Sequence, residues 1–359
     1  MDILFIGKRF YTNRDNYNEK FGRIYQLPYY WSKTCDTSLW LIDYHSRRNI
    51  QDLDEELKIF STSVFSFLFF LKIFKTILLH RPKIIVSSGD CYIGLLGFFL
   101  SKICRSKFVF DIYDKYDTFK GYRNLGYKDL FKYLIQKADK VFFANTLLSK
   151  EINYGTPYII IKNGINYKNF NTISKNEAKK KLNLDPDKII IGYFGTLEKD
   201  RGIEDIINAV KMLNSDEKYK NLILLISGKN IDDINLNYYF IKYLGNLDFS
   251  LIPQTLSSCD ILTIPYRRSN QINYGSSCKI IEYIASQRPI VATKSANLIE
   301  EFPVIKDKLP VKYIAECNSP ESLRDILKLQ IQTPIILKEI DEMSWELVAS
   351  KAIFFIMKK

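Results

Sequence analysis

Histidine is almost missing from this chain, with only His45 and His80 in 359 residues. Neither stands at a metal-ligand spacing from the other or from a cysteine, which argues against a zinc site and against a Cys/His catalytic pair. The six cysteines, at 35, 91, 104, 259, 278 and 317, form no CxxC pair and no regular pattern, and they read as reduced core thiols. A membrane-spanning run is absent as well. The most apolar stretch, IFSTSVFSFLFFLKIFKTILL from Ile59 to Leu79, has an uninterrupted apolar portion shorter than the roughly 20 residues that cross a bilayer. It would also bury Lys72 and Lys75 in hydrocarbon. It is expected to be a crossover helix packed on a sheet. A second reading rests its aromatic face, helped by the lysines, in a membrane interface. The opening MDILFIGKRF lacks the basic flank, apolar core and cleavage site of a signal peptide and reads as a first strand, so a cytoplasmic location is expected.

What is present suits a folded protein of two domains. Hydrophobic residues make up 47%, charged 26% and aromatic 14%, far from the polar, aromatic-poor composition of disorder. The length fits two cores better than one. The net charge of +12 is uneven: residues 1–150 hold 24 Lys+Arg against 15 Asp+Glu, and the remainder 28 against 25. A basic first half suits an anionic partner, whether a phosphorylated substrate or the inner face of an anionic membrane. Nucleic acid is not expected, because no recognition motif accompanies the charge and the aromatics fall at core spacing.

Short β-rich apolar runs alternate with helical patterns, the mark of parallel sheets with crossover helices. The fold class expected is therefore α/β, with two doubly wound Rossmann-like domains. Strands are predicted at 2–8, 38–45, 83–89, 107–113, 141–145 and 158–163 in the first half. In the second they are predicted at 189–195, 222–228, 261–266, 289–294 and 311–315. The polar, basic stretch 172–187 marks the joint, giving domains at 1–175 and 176–340 and a terminal helix at 341–359 that packs back on the first.

Two constellations carry chemistry. The run FGTLEKDRGIEDIINAV turns at Gly195 and Gly202 before a helix with Ile203, Ile206, Ile207 and Val210 on its apolar stripe. Backbone N–H groups and Arg201 at a helix start attract phosphate. The competing reading is a solvated arginine beside glycines that only permit the turn. In SSCDILTIPYRRSNQINYGSSCKIIEYIASQRPIVAT (257–293), a strand leads through a polar loop into a helix with Lys279 and Glu282 one turn apart. Ligands bind beyond the carboxyl ends of such strands, where Lys279 can reach a phosphate and Glu282 can accept from ribose hydroxyls. The plainer reading is an i, i+3 ion pair worth a few tenths of a kcal/mol. In the first half, DIYDKYD puts Asp111, Asp114 and Asp117 at a strand end. Asp114 is the candidate to orient or deprotonate an attacking hydroxyl. A strand-end aspartate capping the next turn explains it equally well.

Together with FGRIYQLP, SGDCYIGLLG, IIKNGIN and LLISGKN, these stretches resemble the GT-B glycosyltransferases, in particular family four, the group one transferases. The resemblance runs over nearly the whole chain and is most specific at KIIEYIASQRPIVAT. It implies two domains facing across a cleft, with Arg201 and Lys279 on the diphosphate of a UDP- or GDP-sugar and Glu282 on its ribose. Gly22, Gly195, Thr196, Gly245, Tyr274 and Ser277 complete the implied donor set, and Asn163 with Gly164 the turn that closes the first domain. The sequence departs from the family at Tyr274, where the first of two glutamates is usual, and at Thr196, where an arginine is. Cys278 stands in place of a proline and Asn166 in place of an aspartate, and Lys199 is a candidate second phosphate ligand.

The function expected is transfer of a sugar from a nucleotide-diphosphate sugar to a hydroxyl of a glycan or lipid-linked intermediate in surface polysaccharide synthesis. Retention of configuration and independence of metal and other cofactors follow from the family likeness. Two other readings stay open: a UDP-sugar epimerase on the same fold, and a non-catalytic partner that binds nucleotide sugar, which the Tyr274 and Thr196 departures favour.

Overall fold

The computed structural model describes residues 1–11, 14–118, 122–123, 129–170, 172–269, 272, 278–299, 309–338 and 341–358. Its contacts divide the chain into two compact units, Met1–Gly164 with Glu342–Lys359, and Ile165–Asp341.

The strands of the first unit are β1 (Ile3–Lys8), β2 (Phe10–Tyr11), β3 (Arg14–Asp15), β4 (Thr37–Asp43), β5 (Ile50–Asp54), β6 (Leu57–Ser63), β7 (Ile84–Ser88), β8 (Lys107–Ile112), β9 (Lys140–Phe143) and β10 (Tyr158–Ile160). Eight of them form one sheet in the order β10-β9-β8-β7-β1-β4-β6-β5, while β2 and β3 pair as a separate ribbon. All neighbours in the large sheet are parallel except β5 and β6. Helices α1 (Gly22–Ser32), α2 (Phe67–His80), α3 (Cys91–Cys104), α4 (Leu130–Lys137) and α5 (Thr146–Ile152) link the strands. Strand β1 reads as unbroken apolar residues because a parallel strand is covered on both faces, and its first five residues are all buried. Asp90 starts α3 by accepting from the N–H groups of Tyr92 and Ile93, both at 2.9 Å.

The stretch expected to be one helix from Ile59 is two elements. Residues up to Ser63 belong to β6, where Trp40 Nε1 donates to Thr62 Oγ1 at 2.9 Å, and the helix begins only at Phe67. The β-branched and hydroxylated IFSTS suits a strand between two neighbours better than a helix. Helix α2 does pack on the sheet as expected, burying Ile73 and Ile77 against Leu4, Ile6 and Trp40.

The second unit carries β11 (Ile189–Phe194), β12 (Leu222–Ser227), β13 (Ile241–Tyr243), β14 (Ile261–Ile264), β15 (Ile290–Thr293) and β16 (Ile314–Ala315) in one parallel sheet of order β13-β12-β11-β14-β15-β16. Its helices are α6 (Lys175–Lys181), α7 (Ile203–Asn214), α8 (Ile252–Ser257), α9 (Lys279–Ala285), α10 (Ala296–Ile299) and α11 (Pro320–Gln332). The stripe Ile203, Ile206, Ile207 and Val210 of α7 is buried in the core, as its spacing predicts. The polar stretch read as a joint is not a linker. A capping box of Ser174 and Glu177 starts α6, and Lys175 and Lys179 both pair with Asp260 at the head of β14, at 2.6 and 3.1 Å. Residues 165–175 therefore go with the second unit, and the chain divides at Gly164.

Helix α12 (Trp345–Met357) belongs to the first unit and packs along α1. Trp31 Nε1 donates to the Ala349 carbonyl at 2.8 Å, and Lys140 Nζ caps the far end through the Phe355 carbonyl at 2.7 Å. Trp345 lies so close to Gly164 that a Cβ there would sit 2.7 Å from its ring. Trp345→Ala is expected to destabilise the first unit by about 3–5 kcal/mol. The exposed neighbour Leu347→Ala is expected to stay within about 0.5 kcal/mol of wild type. Urea unfolding of the two variants checks this, and equal midpoints would contradict it.

Candidate functional site

In an open parallel sheet a ligand crevice forms where the strand order reverses, beyond the carboxyl ends of the strands. In the second unit that point lies between β11 and β14. Gly195 follows β11 with φ +138°, and a Cβ there would lie 2.2 Å from Lys279 Cε and 2.3 Å from its Nζ. The lysine side chain thus occupies the volume that any other residue at 195 would fill. Lys279, the first residue of α9, runs back across the turn, and its Nζ donates to Tyr193 Oη at 3.2 Å. The ammonium lies 4.6 Å from the Tyr193 ring centre and 5.1 Å from that of Tyr266.

Arg201 approaches the same tyrosine. Its Nε donates to Glu198 Oε2 at 2.8 Å, its Nη1 to Tyr266 Oη at 3.5 Å, and its Cζ stands 5.9 Å from the Tyr266 ring centre. Two cations from segments almost eighty residues apart therefore share one aromatic ring. Burial pushes the Lys279 amine below its ordinary value, with the Tyr266 phenol working against that shift and the Arg201 charge adding to it. A cation over a ring gains about 0.5–1 kcal/mol at an exposed site and about 2 kcal/mol or more when desolvated, as here. An anion between the two would relieve both their repulsion and the desolvation of the lysine.

The surrounding turns are built to close tolerances. Gly202 starts α7 at φ +68°, and a Cβ there would come within 1.8 Å of the Pro265 carbonyl oxygen. Arg267 accounts for the rest of this wall. Its N–H donates to the Asp200 carbonyl at 2.9 Å, and its guanidinium grips Asp205 at 2.8 and 2.6 Å, so the segment after β14 is tied to α7. Thr293 Oγ1 donates to the Tyr266 carbonyl at 2.6 Å. The first turn of α7, expected to attract an anion, already carries Glu204 and Asp205. Those carboxylates balance the helix start, and the positive potential comes instead from the side chains of Arg201 and Lys279.

Of the other residues singled out in this half, Thr196 presents its carbonyl to Tyr193 Oη at 2.8 Å. The Gly245 carbonyl accepts from Gly228 N–H at 2.8 Å and Ser227 Oγ at 2.9 Å, in the turn beside Gly195. Glu282 is half-buried one turn along α9. Lys199 is exposed, and its N–H donates to Asp232 Oδ2 at 2.8 Å. Tyr274 and Ser277 lie outside the described residues. Tyr193, Tyr266 and Arg267 were not read from the sequence. A tyrosine in a buried strand next to a glycine turn is the available signal, because its hydroxyl needs a partner.

Gly22 and Asp114 gather in the first unit, where the order reverses between β1 and β7. Gly22 opens α1 at φ +67°, and Arg23 beside it is fully buried, pairing with buried Asp111 at 2.6 Å and donating to the Ile161 carbonyl at 2.7 Å. Ser88 Oγ also donates to Asp111, at 2.6 Å. The Asp114 carboxylate accepts from Tyr11 Oη, and the Tyr11 and Tyr113 rings stack at 5.0 Å. Asp117 faces solvent. The three aspartates of DIYDKYD therefore diverge: one is an internal ion pair, one is held by a tyrosine and one is exposed.

Residues 188–329 match the family model described as Glycosyl transferases group 1. No curated protein matches the chain. Among solved structures, sucrose-phosphate synthase from Thermosynechococcus elongatus is similar at 13% identity and a TM-score of 0.70, over 99% of this chain and 98% of that one. A glycosyltransferase from Rickettsia africae is similar at 14% identity and a TM-score of 0.68, over 99% and 98%. The Anabaena protein HepE, solved in complex with UDP, is similar at 15% identity and a TM-score of 0.63, over 98% and 94%. The fold is thus GT-B, built from two Rossmann-like domains.

Gly195→Ala is expected to displace Lys279 and to weaken binding of a nucleoside diphosphate at least about tenfold, or about 1.4 kcal/mol. Gly155→Ala serves as the control, since its φ of +92° imposes similar backbone strain with nothing within 4 Å of the added methyl. Calorimetric titration with UDP and GDP compares the two. An unaltered affinity in Gly195→Ala would overturn the assignment.

Proposed function

We propose that this chain of GT-B fold is a glycosyltransferase, whose second unit binds the donor and whose first unit binds the acceptor. One observation carries this reading: Lys279 and Arg201 converge on Tyr266 at the reversal point of the second sheet, with Gly195 leaving the space open. The donor is a UDP- or GDP-sugar whose diphosphate lies against Lys279 and Arg201. Glu282 accepts from the ribose hydroxyls, and the turns at Thr196 and Gly245 border the rest of the nucleotide. The acceptor is a hydroxyl of a glycan or lipid-linked intermediate in surface polysaccharide synthesis, oriented by Asp114 in the grip of Tyr11. A lipid-linked acceptor would bring the work to the inner face of the cell membrane.

In the reaction proposed, the bond from the anomeric carbon to the diphosphate breaks and a bond from that carbon to the acceptor oxygen forms on the same face. The hydroxyl proton passes to the departing diphosphate oxygen. Configuration is retained, and Lys279 and Arg201 offset the charge that develops on the leaving group, so the scheme calls for no metal. Removing one preorganised donor aimed at developing charge typically costs about 10²–10³ in kcat, roughly 2.7–4 kcal/mol, and the two cations are placed to act in that way.

Incubation with a panel of nucleotide sugars, with and without acceptor glycans, tests the reading. Sugar transfer that persists in EDTA is expected. Epimerised sugar from donor alone would replace it with an epimerase, and binding without turnover would leave a nucleotide-sugar-binding protein. Lys279→Ala and Arg201→Ala are each expected to lower kcat/KM by about 10²–10³.

The lysine also predicts a pH dependence. Because burial lowers the Lys279 amine from its ordinary 10.5, it loses its proton before an ordinary lysine does. A diphosphate prefers the charged form, so affinity is expected to fall with rising pH, beginning below 10.5, and binding there takes up protons. In Lys279→Arg that fall should disappear, because guanidinium stays charged. Titrations across alkaline pH in wild type and variant check it, and superimposable profiles would count against it.

A further inference from the structure

We propose that the outer face of α2 and α3 in the first unit is a docking surface for an anionic lipid bilayer. This goes beyond the donor chemistry and stands on the first unit alone. Both helices lie on one side of the large sheet, since Ile73 and Ile77 of α2 and Ile93 and Leu100 of α3 share one core cluster with Leu4 and Ile6. Their opposite faces are apolar where a soluble helix normally turns polar. On α2 the i, i+4 row Phe67, Leu71, Lys75 and Leu79 points outward, flanked by Leu68 and Lys72. Phe67 is 69% exposed, Leu68 82% and Leu79 74%. On α3, Tyr92, Phe99 and Ile103 form a second exposed row at spacings of seven and four. Phe65, just before α2, adds an aromatic ring that is 63% exposed.

The charge of this face selects its partner. Between residues 64 and 107 the sequence holds seven Lys and Arg, and its one acidic residue is Asp90. Asp90 is buried at the start of α3 and engaged by the backbone there. Lys72, Lys75, Arg81, Lys102 and Arg105 are exposed beside the apolar rows. The Lys72 ammonium lies over the Phe69 ring and that of Lys102 over the Phe98 ring, so these exposed cations sit directly beside aromatic side chains. Large apolar side chains interleaved with cations match an interface of acyl chains and anionic headgroups. A protein partner would have to desolvate those lysines, and a spanning segment is ruled out for α2 by its 14 residues. Among the described residues no helix is long and apolar enough to cross a membrane, so the contact is a surface one.

The test is co-sedimentation of the full chain with phosphatidylglycerol-rich and with pure phosphatidylcholine vesicles, at low salt and at about 0.5 M salt, where the Debye length falls to a few ångströms. Wild type is expected to pellet with the anionic vesicles at low salt, and to do so far less with neutral vesicles or at high salt. Phe67→Glu combined with Leu68→Glu, and separately Lys72→Glu combined with Lys75→Glu, are each expected to reduce the bound fraction at least about tenfold. Both leave the core-facing Ile73 and Ile77 untouched, so thermal midpoints and UDP binding should match wild type. Wild type that stays in solution with anionic vesicles, or variants that pellet as well as wild type, would overturn the proposal. So would a wild-type dimer that the Phe67 and Leu68 changes dissociate while vesicle binding survives. UDP titration of the same samples keeps the two readings apart: vesicle binding without nucleotide binding would overturn only the donor assignment, and nucleotide binding without vesicle binding only the docking face.

Discussion

A lysine ammonium laid over two tyrosine rings, in a space that a single methyl group would fill, is the constraint on which the second unit's chemistry depends. The ammonium is costly to bury, and the unit meets that cost with the rings and phenol oxygens of tyrosines. Tyrosine leaves the Lys279 charge available to an incoming anion, while Arg201 shares the Tyr266 ring and is also paired with Glu198. The glycine at 195, the threonine that holds the Tyr266 carbonyl and the Arg267–Asp205 pair all serve this geometry from outside.

The first unit solves a similar placement problem in the opposite way. At its own reversal point Arg23 and Asp111 are both fully buried and pair with one another, with Ser88 and the Ile161 carbonyl as further partners. Such a pair contributes little net stability, because desolvation consumes most of its attraction, but it fixes the geometry around it. It anchors the glycine turn at Gly22 to the end of β8, beside the stacked Tyr11 and Tyr113. One unit therefore lays an ammonium against tyrosine rings, and the other commits its arginine to a buried carboxylate.

Much of this was legible in the amino-acid order. Runs such as ILFIG and ILTIP announce buried parallel strands, and the isoleucine stripe of α7 its inward face. The positions of Gly195, Arg201 and Lys279 followed from spacing and resemblance. What escaped was whatever lacks a periodic signal. Strand β5 is written in Gln, Asp and Leu and reads as a polar loop, and β13 is only three residues long. IFSTS was absorbed into the apolar helix that follows it. Tyr193 and Tyr266 look like ordinary core aromatics until their hydroxyls and rings are seen around a lysine. Asp111, Asp114 and Asp117 look alike in sequence, and the strand's alternation and the following turn give them three different surroundings.

The return of α12 to the first unit also sets an order of assembly. Residues 165–341 form a contiguous unit, whereas the first unit is interrupted and needs 342–359 for the surface that covers Trp31 and Gly164. During synthesis the second unit has its full complement of residues while the first still exposes the groove along α1. The N-terminal unit, although made first, is the later of the two to be finished, which reverses the usual progression from amino to carboxyl end. Loss of the last helix would strip the older unit and leave the younger one whole.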